Sequence, residues 1–182
     1  MKTCFVKTNF ANFADTLDSC KSFACIFSLV KKALESTLRR RRVGLILGLS
    51  DLPLHVGAFH QIGSNFIIMN KRLVDYVVRT CDQRLINAYI FHVLLHEYIH
   101  SLGCINEQET EILTYAISEK ILGPEHPSTW ISKYGVDAVL SKIGSIGLLS
   151  EQEDETDEHE LQGFGPIDMI EDFETDNLNY FG

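Results

Sequence analysis

Apolar residues recur at helical spacing in the first quarter of the chain. Between about residues 15 and 38 they lie three or four positions apart, which predicts one amphipathic helix. Residues 39–42, all arginine, follow it directly. Cationic side chains at a helix C-terminus interact favourably with the helix dipole, so we interpret the arginines as a solvated cap rather than as a nucleic-acid site.

The pattern then changes from helical spacing to short apolar runs. Residues 43–49 form a continuous apolar run interrupted by two glycines, which is typical of a buried strand. Residues 55–60 and 66–69 predict the two strands of a hairpin, with its turn at residues 63–65.

Helical spacing returns after the hairpin and predicts four helices, which cover about residues 70–79, 84–102, 106–123 and 130–143. Asn70 and Asn106 are suited to cap two of them, with Glu109 in the capping-box position of the third helix. Gly103 ends the second helix, because a left-handed cap is easiest for glycine.

The composition divides the chain in two. A chain of 182 residues, 45% of them hydrophobic, fits one domain of ordinary size, which we place at residues 1–149. Residues 150–160 are almost all acidic or polar and predict a disordered linker. Apolar and aromatic residues among acids follow it, so residues 150–182 are predicted to be an acidic linker with a C-terminal docking or inhibitory peptide.

Charge and cysteine content narrow the choice of function. The formal net charge of −9 argues against nucleic acid or an anionic membrane as a partner, and no apolar run is long enough to cross a bilayer. The cysteines are odd in number and scattered, which favours reduced thiols and a cytoplasmic location. They are Cys4, Cys20, Cys25, Cys81 and Cys104.

The main chemical signal is an HExxH motif, His96-Glu97-Tyr98-Ile99-His100, inside the second predicted helix. Residues four apart lie on one helical face, so both imidazoles can meet a single zinc ion. Glu97 is next to the first histidine and can activate the attacking water as a general base. The motif predicts one Zn²⁺ per chain, with Glu97 as the catalytic residue.

Two histidines leave a catalytic zinc one protein ligand short. The candidates lie in the next helix at positions 107, 109 and 111, all glutamate. At about 100° per residue, Glu109 shares a face with apolar residues, so it is the first choice for a carboxylate directed at the core. Glu107 and Glu111 share a face with a threonine and a serine and remain alternatives.

With HExxH and a glutamate from a following helix, the sequence resembles the gluzincins, and most closely the soluble minigluzincins of archaea. The resemblance covers about residues 43–124. It implies an α+β, zincin-like domain, in which a short antiparallel sheet or hairpin packs on an active-site helix and a glutamate helix. The family pattern Glu-x-x-Ala-Asp-x-x-Ala has Ile112 and Leu113 here in place of Ala-Asp.

The resemblance implies a zinc-dependent endopeptidase whose peptide or protein substrate lies along the hairpin edge. His60, His126 and Tyr134 are candidates for an additional donor to the tetrahedral oxyanion. Because members of the group are latent, the C-terminal peptide is a candidate inhibitor, although it is equally suited to recruit a partner. The alternative function is a metal-stabilised scaffold without peptidase activity, and a metzincin is disfavoured because Asn106 stands where that class has a ligand.

Overall fold

The computed structural model describes residues 12–136 and 166–170. Within them it has mixed α+β architecture, with six helices and one four-stranded sheet. The elements in chain order are α1 (Phe13–Ser19), α2 (Phe23–Leu38), β1 (Ile46–Ser50), β2 (Ala58–His60), β3 (Phe66–Asn70), α3 (Lys71–Thr80), α4 (Gln83–Ser101), α5 (Glu107–Leu122), α6 (Pro127–Tyr134) and β4 (Asp168–Met169).

The N-terminal region forms two helices, so the expectation of one continuous helix over about residues 15–38 is wrong. The chain turns to extended backbone at Cys20, and the Ser22 side chain caps α2 by accepting from the Cys25 backbone N–H. The turn brings the Cys20 and Cys25 Cα atoms to 5.7 Å, and the two residues form a disulfide.

The disulfide corrects the expectation of reduced thiols for Cys20 and Cys25. Cys81 and Cys104 are free, and Cys4 lies outside the described residues. The cytoplasmic location loses the support of fully reduced cysteines and stays a prediction. No helix in the described ranges is both long enough and apolar enough to cross a membrane.

The sheet has strand order β2-β3-β1-β4. The predicted hairpin is confirmed, because β2 pairs antiparallel with β3. Of the two expected forms, an antiparallel sheet or a hairpin, only the hairpin is found, because β1 pairs with β3 in parallel, from Ile46 opposite Phe66 to Ser50 opposite Asn70. The chain reverses direction between β1 and β2 and again between β2 and β3, so β3 runs parallel to β1.

Helices cover one face of the sheet. Leu47 of β1 and Met69 of β3 are fully buried in the same core cluster as Leu94 and Tyr98 of α4. Helix α4 packs against α1, α2, α5 and α6. A helix that is apolar on nearly all sides is expected at such a central position, so the fold holds the HExxH segment rigidly.

The predicted helix caps are confirmed. The Asn70 side chain accepts from the Arg72 N–H at the start of α3, and Asn106 accepts from the Glu109 N–H at the start of α5. Gly103 has φ +98, a left-handed conformation that side chains disfavour. The last predicted helix begins earlier and ends at Tyr134, while residues 137–143 lie outside the described part.

A short C-terminal segment completes the sheet. β4 pairs antiparallel with β1, the Ile170 N–H donates to the Leu47 carbonyl, and Asp168 forms an ion pair with Lys71 at 2.5 Å. The predicted acidic linker and the rest of the C-terminal peptide lie outside the described residues. The division at residue 149 and the predicted disorder therefore remain predictions.

Candidate metal centre

Helix α4 carries both histidines of the motif. Its N-terminus is capped by Asp82, whose side chain accepts from the Leu85 N–H. His96 and His100 are one turn apart on the side of α4 that faces a cleft, and their side chains are 15% and 18% exposed. Their Nε2 atoms are 3.0 Å apart, so both rings point to the same place.

A carboxylate from the next helix completes the group. Glu107, the first residue of α5, has its Oε1 2.8 Å from His96 Nε2 and its Oε2 3.1 Å from His100 Nε2. The three residues each offer one ligand atom, and these atoms lie within 4.8 Å of one another. Two imidazoles and a carboxylate form a donor set that could hold a divalent metal ion.

The surroundings of His100 fit a metal ligand. Its Nδ1 is 2.7 Å from the backbone carbonyl oxygen of Cys104, which can only accept a hydrogen bond. Nδ1 therefore carries the proton, and the neutral ring has its lone pair on Nε2, the atom that faces His96 and Glu107. Metal-ligating histidines usually have such a partner on the other nitrogen, because it fixes the tautomer and the ring orientation.

The structure places Glu107, and not the first choice Glu109, beside the histidines. The Glu109 Oε2 lies 3.9 Å from the Cys104 Sγ and does not join the group. Glu111 lines the cleft, and its charge acts on His96. Glu109 was the first choice because it shares a face of α5 with apolar residues, and that face was expected to point to the core.

The buried face of α5 carries several small hydroxyl residues, whereas Ile112 on the apolar face is 60% exposed. Thr110, Thr114 and Ser118 are fully buried, and Thr110 and Thr114 donate to backbone carbonyls within or next to α5. Hydroxyl groups satisfied in this way can be buried at little cost. A hydrophobicity pattern could not identify this face as the buried one. The alternative candidates Glu107 and Glu111, which share the face with a threonine and a serine, were on the correct side of α5.

Glu97 lies in the same cleft, with 5% of its surface exposed. Its carboxylate accepts a hydrogen bond from the backbone N–H of His60 on β2. Burial raises the pKa of Glu97 to about 8, and the negative charge of Glu107 adds to the rise. A carboxyl group with a pKa near neutrality can both accept and release a proton, as general acid-base chemistry requires.

The cleft has a volume of about 810 Å³. Residues 55–60 form one wall, and the other walls come from α4, from the start of α5 and from residues 131–136. β2 lines this space, and within residues 12–136 and 166–170 it is an edge strand, with no further strand paired to its outer side. The cleft therefore offers an edge to which an extended peptide could pair.

The three candidates for an additional donor have separate positions. His60 and Tyr134 line the cleft. His126 does not, because its Nδ1 accepts from the Ser128 N–H to cap α6 and its Nε2 lies 3.1 Å from the Asp18 carboxylate. The structure thus gives His126 a role in joining α6 to α1.

Arg42 holds the β2–β3 hairpin against α4, a role that the sequence did not reveal. Its guanidinium donates to the Ser101 and Ser64 carbonyls, both at 2.6 Å, and to the Asn65 side chain at 3.0 Å. The Tyr98 hydroxyl bonds to the Arg42 backbone N–H and carbonyl. No local pattern indicated this role, because the partners of the Arg42 guanidinium lie 22 and 59 residues away in the chain.

A comparison with protein-family models, with curated proteins and with solved structures finds no match to this chain.

Proposed function

We propose that this protein is a zinc-dependent endopeptidase of the gluzincin type. The single observation that carries the proposal is the convergence of His96, His100 and Glu107 beside the buried Glu97 carboxylate. This combination is the donor set and the general base that a hydrolytic zinc site requires. The arrangement of HExxH on one helix and a glutamate at the start of the next supports the gluzincin assignment.

In the proposed enzyme, His96, His100 and Glu107 would hold one zinc ion, because their two Nε2 atoms and the carboxylate converge. Zinc, when bound, would lower the pKa of a coordinated water and polarise the scissile carbonyl. The hydrogen bond from His100 Nδ1–H to the Cys104 carbonyl keeps the imidazole in the ligating tautomer.

Glu97 is the proposed general base. It accepts a proton from the attacking water and delivers it to the amine nitrogen of the leaving fragment. Glu97 is then a carboxylate again, as at the start of the cycle. The His60 backbone N–H fixes the Glu97 carboxylate against β2. Burial of Glu97 excludes competing water from this proton transfer.

The proposed substrate is a peptide or protein segment in extended conformation. Its backbone pairs with the outer edge of β2, which runs along the cleft, and its side chains alternate between the two sides of the bound strand. Tyr134 is the proposed donor to the oxyanion, because it lines the cleft. His60 is not, because it donates its Nδ1–H to the Phe66 carbonyl and has no second N–H while its ring is neutral.

The C-terminal peptide is proposed to anchor at the sheet rather than to cover the cleft. Its described residues, 166–170, lie on the β1 edge, whereas β2 and the cleft lie at the opposite edge. None of these five residues lines the cleft. Removing residues 150–182 should therefore leave the peptidase rate unchanged, whereas a rise would favour the inhibitory alternative.

Metal content and peptidase activity test the proposed function together. Elemental analysis should find about one zinc per wild-type chain. Loss of one of three ligands in Glu107→Ala should weaken zinc affinity by more than the roughly 10 to 100-fold that follows loss of a supporting residue. Glu109→Ala is the matched control, with the same charge change on the same helix, and should retain zinc.

Activity separates an enzyme from a scaffold. Glu97→Gln should keep zinc but lower the cleavage of a peptide library by roughly 10² to 10⁴-fold. A wild type that binds no zinc would contradict the metal site. A zinc-loaded wild type that cleaves nothing would favour the metal-stabilised scaffold.

A further inference from the structure

His92 is a third cleft histidine on α4. It lies one turn before His96, with 6.4 Å between the ring centroids, and it lines the cleft without belonging to the metal-binding group. Each helical turn advances about 5.4 Å, so His92 and His100 are two turns apart and cannot both ligate one ion alongside His96. The position of His92 calls for a different role.

Helix α6 fixes the orientation of the His92 ring. Its Nδ1 lies 2.9 Å from the Ser132 hydroxyl, and that hydroxyl donates to the Ser128 carbonyl at 2.9 Å. A hydroxyl has one proton, so the Ser132 oxygen accepts from Nδ1–H. The neutral ring then presents a lone pair at Nε2.

Burial lowers the pKa of His92 to about 3, with a smaller contribution from His96. The ring is therefore neutral at physiological pH. Its Nε2 has no hydrogen-bond partner among the described residues. This atom is accessible to solvent rather than enclosed in the core. A lone pair that faces a cleft in this way is suited to a ligand that brings a hydrogen-bond donor.

The part of the cleft lined by α4 and α6 has apolar as well as polar side chains. Val93 on α4 and Ile131 on α6 are buried side chains, and Val136 lies just beyond the end of α6. Together with Ser132 and Lys133 they line the part of the cleft between α4 and α6, into which His92 Nε2 offers an acceptor. We refer to it as the α4–α6 groove.

We propose that the α4–α6 groove is a substrate subsite for a side chain with an apolar stem and a terminal amide, glutamine or asparagine, whose N–H donates to His92 Nε2. The inference rests on the proposed peptidase function for the identity of its ligand. A site built to hydrogen-bond a substrate group rejects an analogue of the same shape that lacks the donor, because its own polar atom is then left unpaired. Methionine is such an analogue of glutamine.

Affinity selection from a displayed library of randomised hexapeptides tests the subsite without requiring turnover. The bait is the full chain loaded with zinc and carrying Glu97→Gln, which prevents cleavage. We expect glutamine and asparagine to be enriched over methionine and leucine by about tenfold at one peptide position. Adding His92→Leu should abolish the enrichment and leave one zinc per chain.

Two further variants serve as controls. His55→Leu removes an exposed cleft histidine from the opposite wall and should leave the enrichment intact. Ser132→Ala removes the hydroxyl that orients His92 and should reduce the enrichment several-fold, which keeps the test open if His92→Leu does not fold.

The possible outcomes are distinct. Equal enrichment with and without His92, preference for methionine, or loss of zinc in His92→Leu would each overturn the subsite. If the enrichment follows His92 but the wild type does not cleave the selected peptides, the subsite stands and the peptidase function fails.

Discussion

Replacing Arg42 by methionine should destabilise the protein far more than the same change one residue earlier. Methionine preserves much of the apolar stem of arginine but removes the guanidinium. That group makes three hydrogen bonds of 3.0 Å or shorter, one to Ser101 at the end of α4 and two to the turn of the hairpin. A hydrogen bond to a charged group contributes about 1.5–3 kcal/mol when buried. Arg42 is half-buried, so water can replace part of each interaction.

We therefore take about 1 kcal/mol for each bond and expect Arg42→Met to lower the free energy of unfolding by about 3 kcal/mol. The matched control is Arg41→Met. Arg41 is exposed and pairs with Glu35 at 3.3 Å on the surface, and exposed ion pairs contribute about 0–1 kcal/mol.

The assay is urea unfolding of the metal-free protein, followed by the fluorescence of Trp130 and by circular dichroism. At about 2–4 °C per kcal/mol for a chain of this size, the thermal midpoint should fall by roughly 6–12 °C for Arg42→Met. A loss below about 1 kcal/mol, or equal losses for the two arginines, would refute the reasoning that Arg42 joins the hairpin to α4.

Three further predictions concern other parts of the structure. Gly48→Ala should displace β4, because a Cβ at this position would lie 2.5 Å from Ile167 Cγ2. The displacement should appear as faster hydrogen exchange at residues 168–170, and unchanged exchange would contradict the prediction. Asn70→Ala should lower the free energy of unfolding in urea by about 2–4 kcal/mol, because the buried amide donates to three carbonyls and its oxygen caps α3. A decrease of less than about 1 kcal/mol would show that these bonds contribute little. Because the folded-state pKa of His92 is depressed to about 3, its contribution to stability is present above the unfolded pKa of about 6.5 and falls by roughly 1.4 kcal/mol for each pH unit below it. His92→Phe should remove that part of the pH dependence between pH 6.5 and 5 in metal-free protein, and parallel stability curves for the two proteins would refute it.

The local signals in the sequence correctly predicted most of the elements. The helices that begin after Asn70 and Asn106 depend on side chains that cap the adjacent backbone, and the hairpin depends on a turn of a few residues. These interactions act between neighbours in the chain, so the sequence contains them in full. The HExxH spacing is local for the same reason, and it brought His96 and His100 to one face of α4.

Three errors came from interactions between distant residues. The break between α1 and α2 accompanies a disulfide that scattered cysteines did not indicate. The parallel pairing of β1 with β3 depends on the position of β2, which no local pattern specifies. Glu109 was preferred over Glu107 because the buried face of α5 was judged by hydrophobicity.

The sequence by itself determined helices α3 to α5, the hairpin and the two histidines with Glu97, because short-range geometry and side-chain chemistry suffice for them. Only the tertiary structure decided that Glu107 meets those histidines, that Arg42 joins the hairpin to α4, and that the Ile167 segment lies at the far edge of the sheet. These outcomes depend on how helices and strands pack, and packing accepts small hydroxyl residues as well as apolar ones when their hydrogen bonds are satisfied.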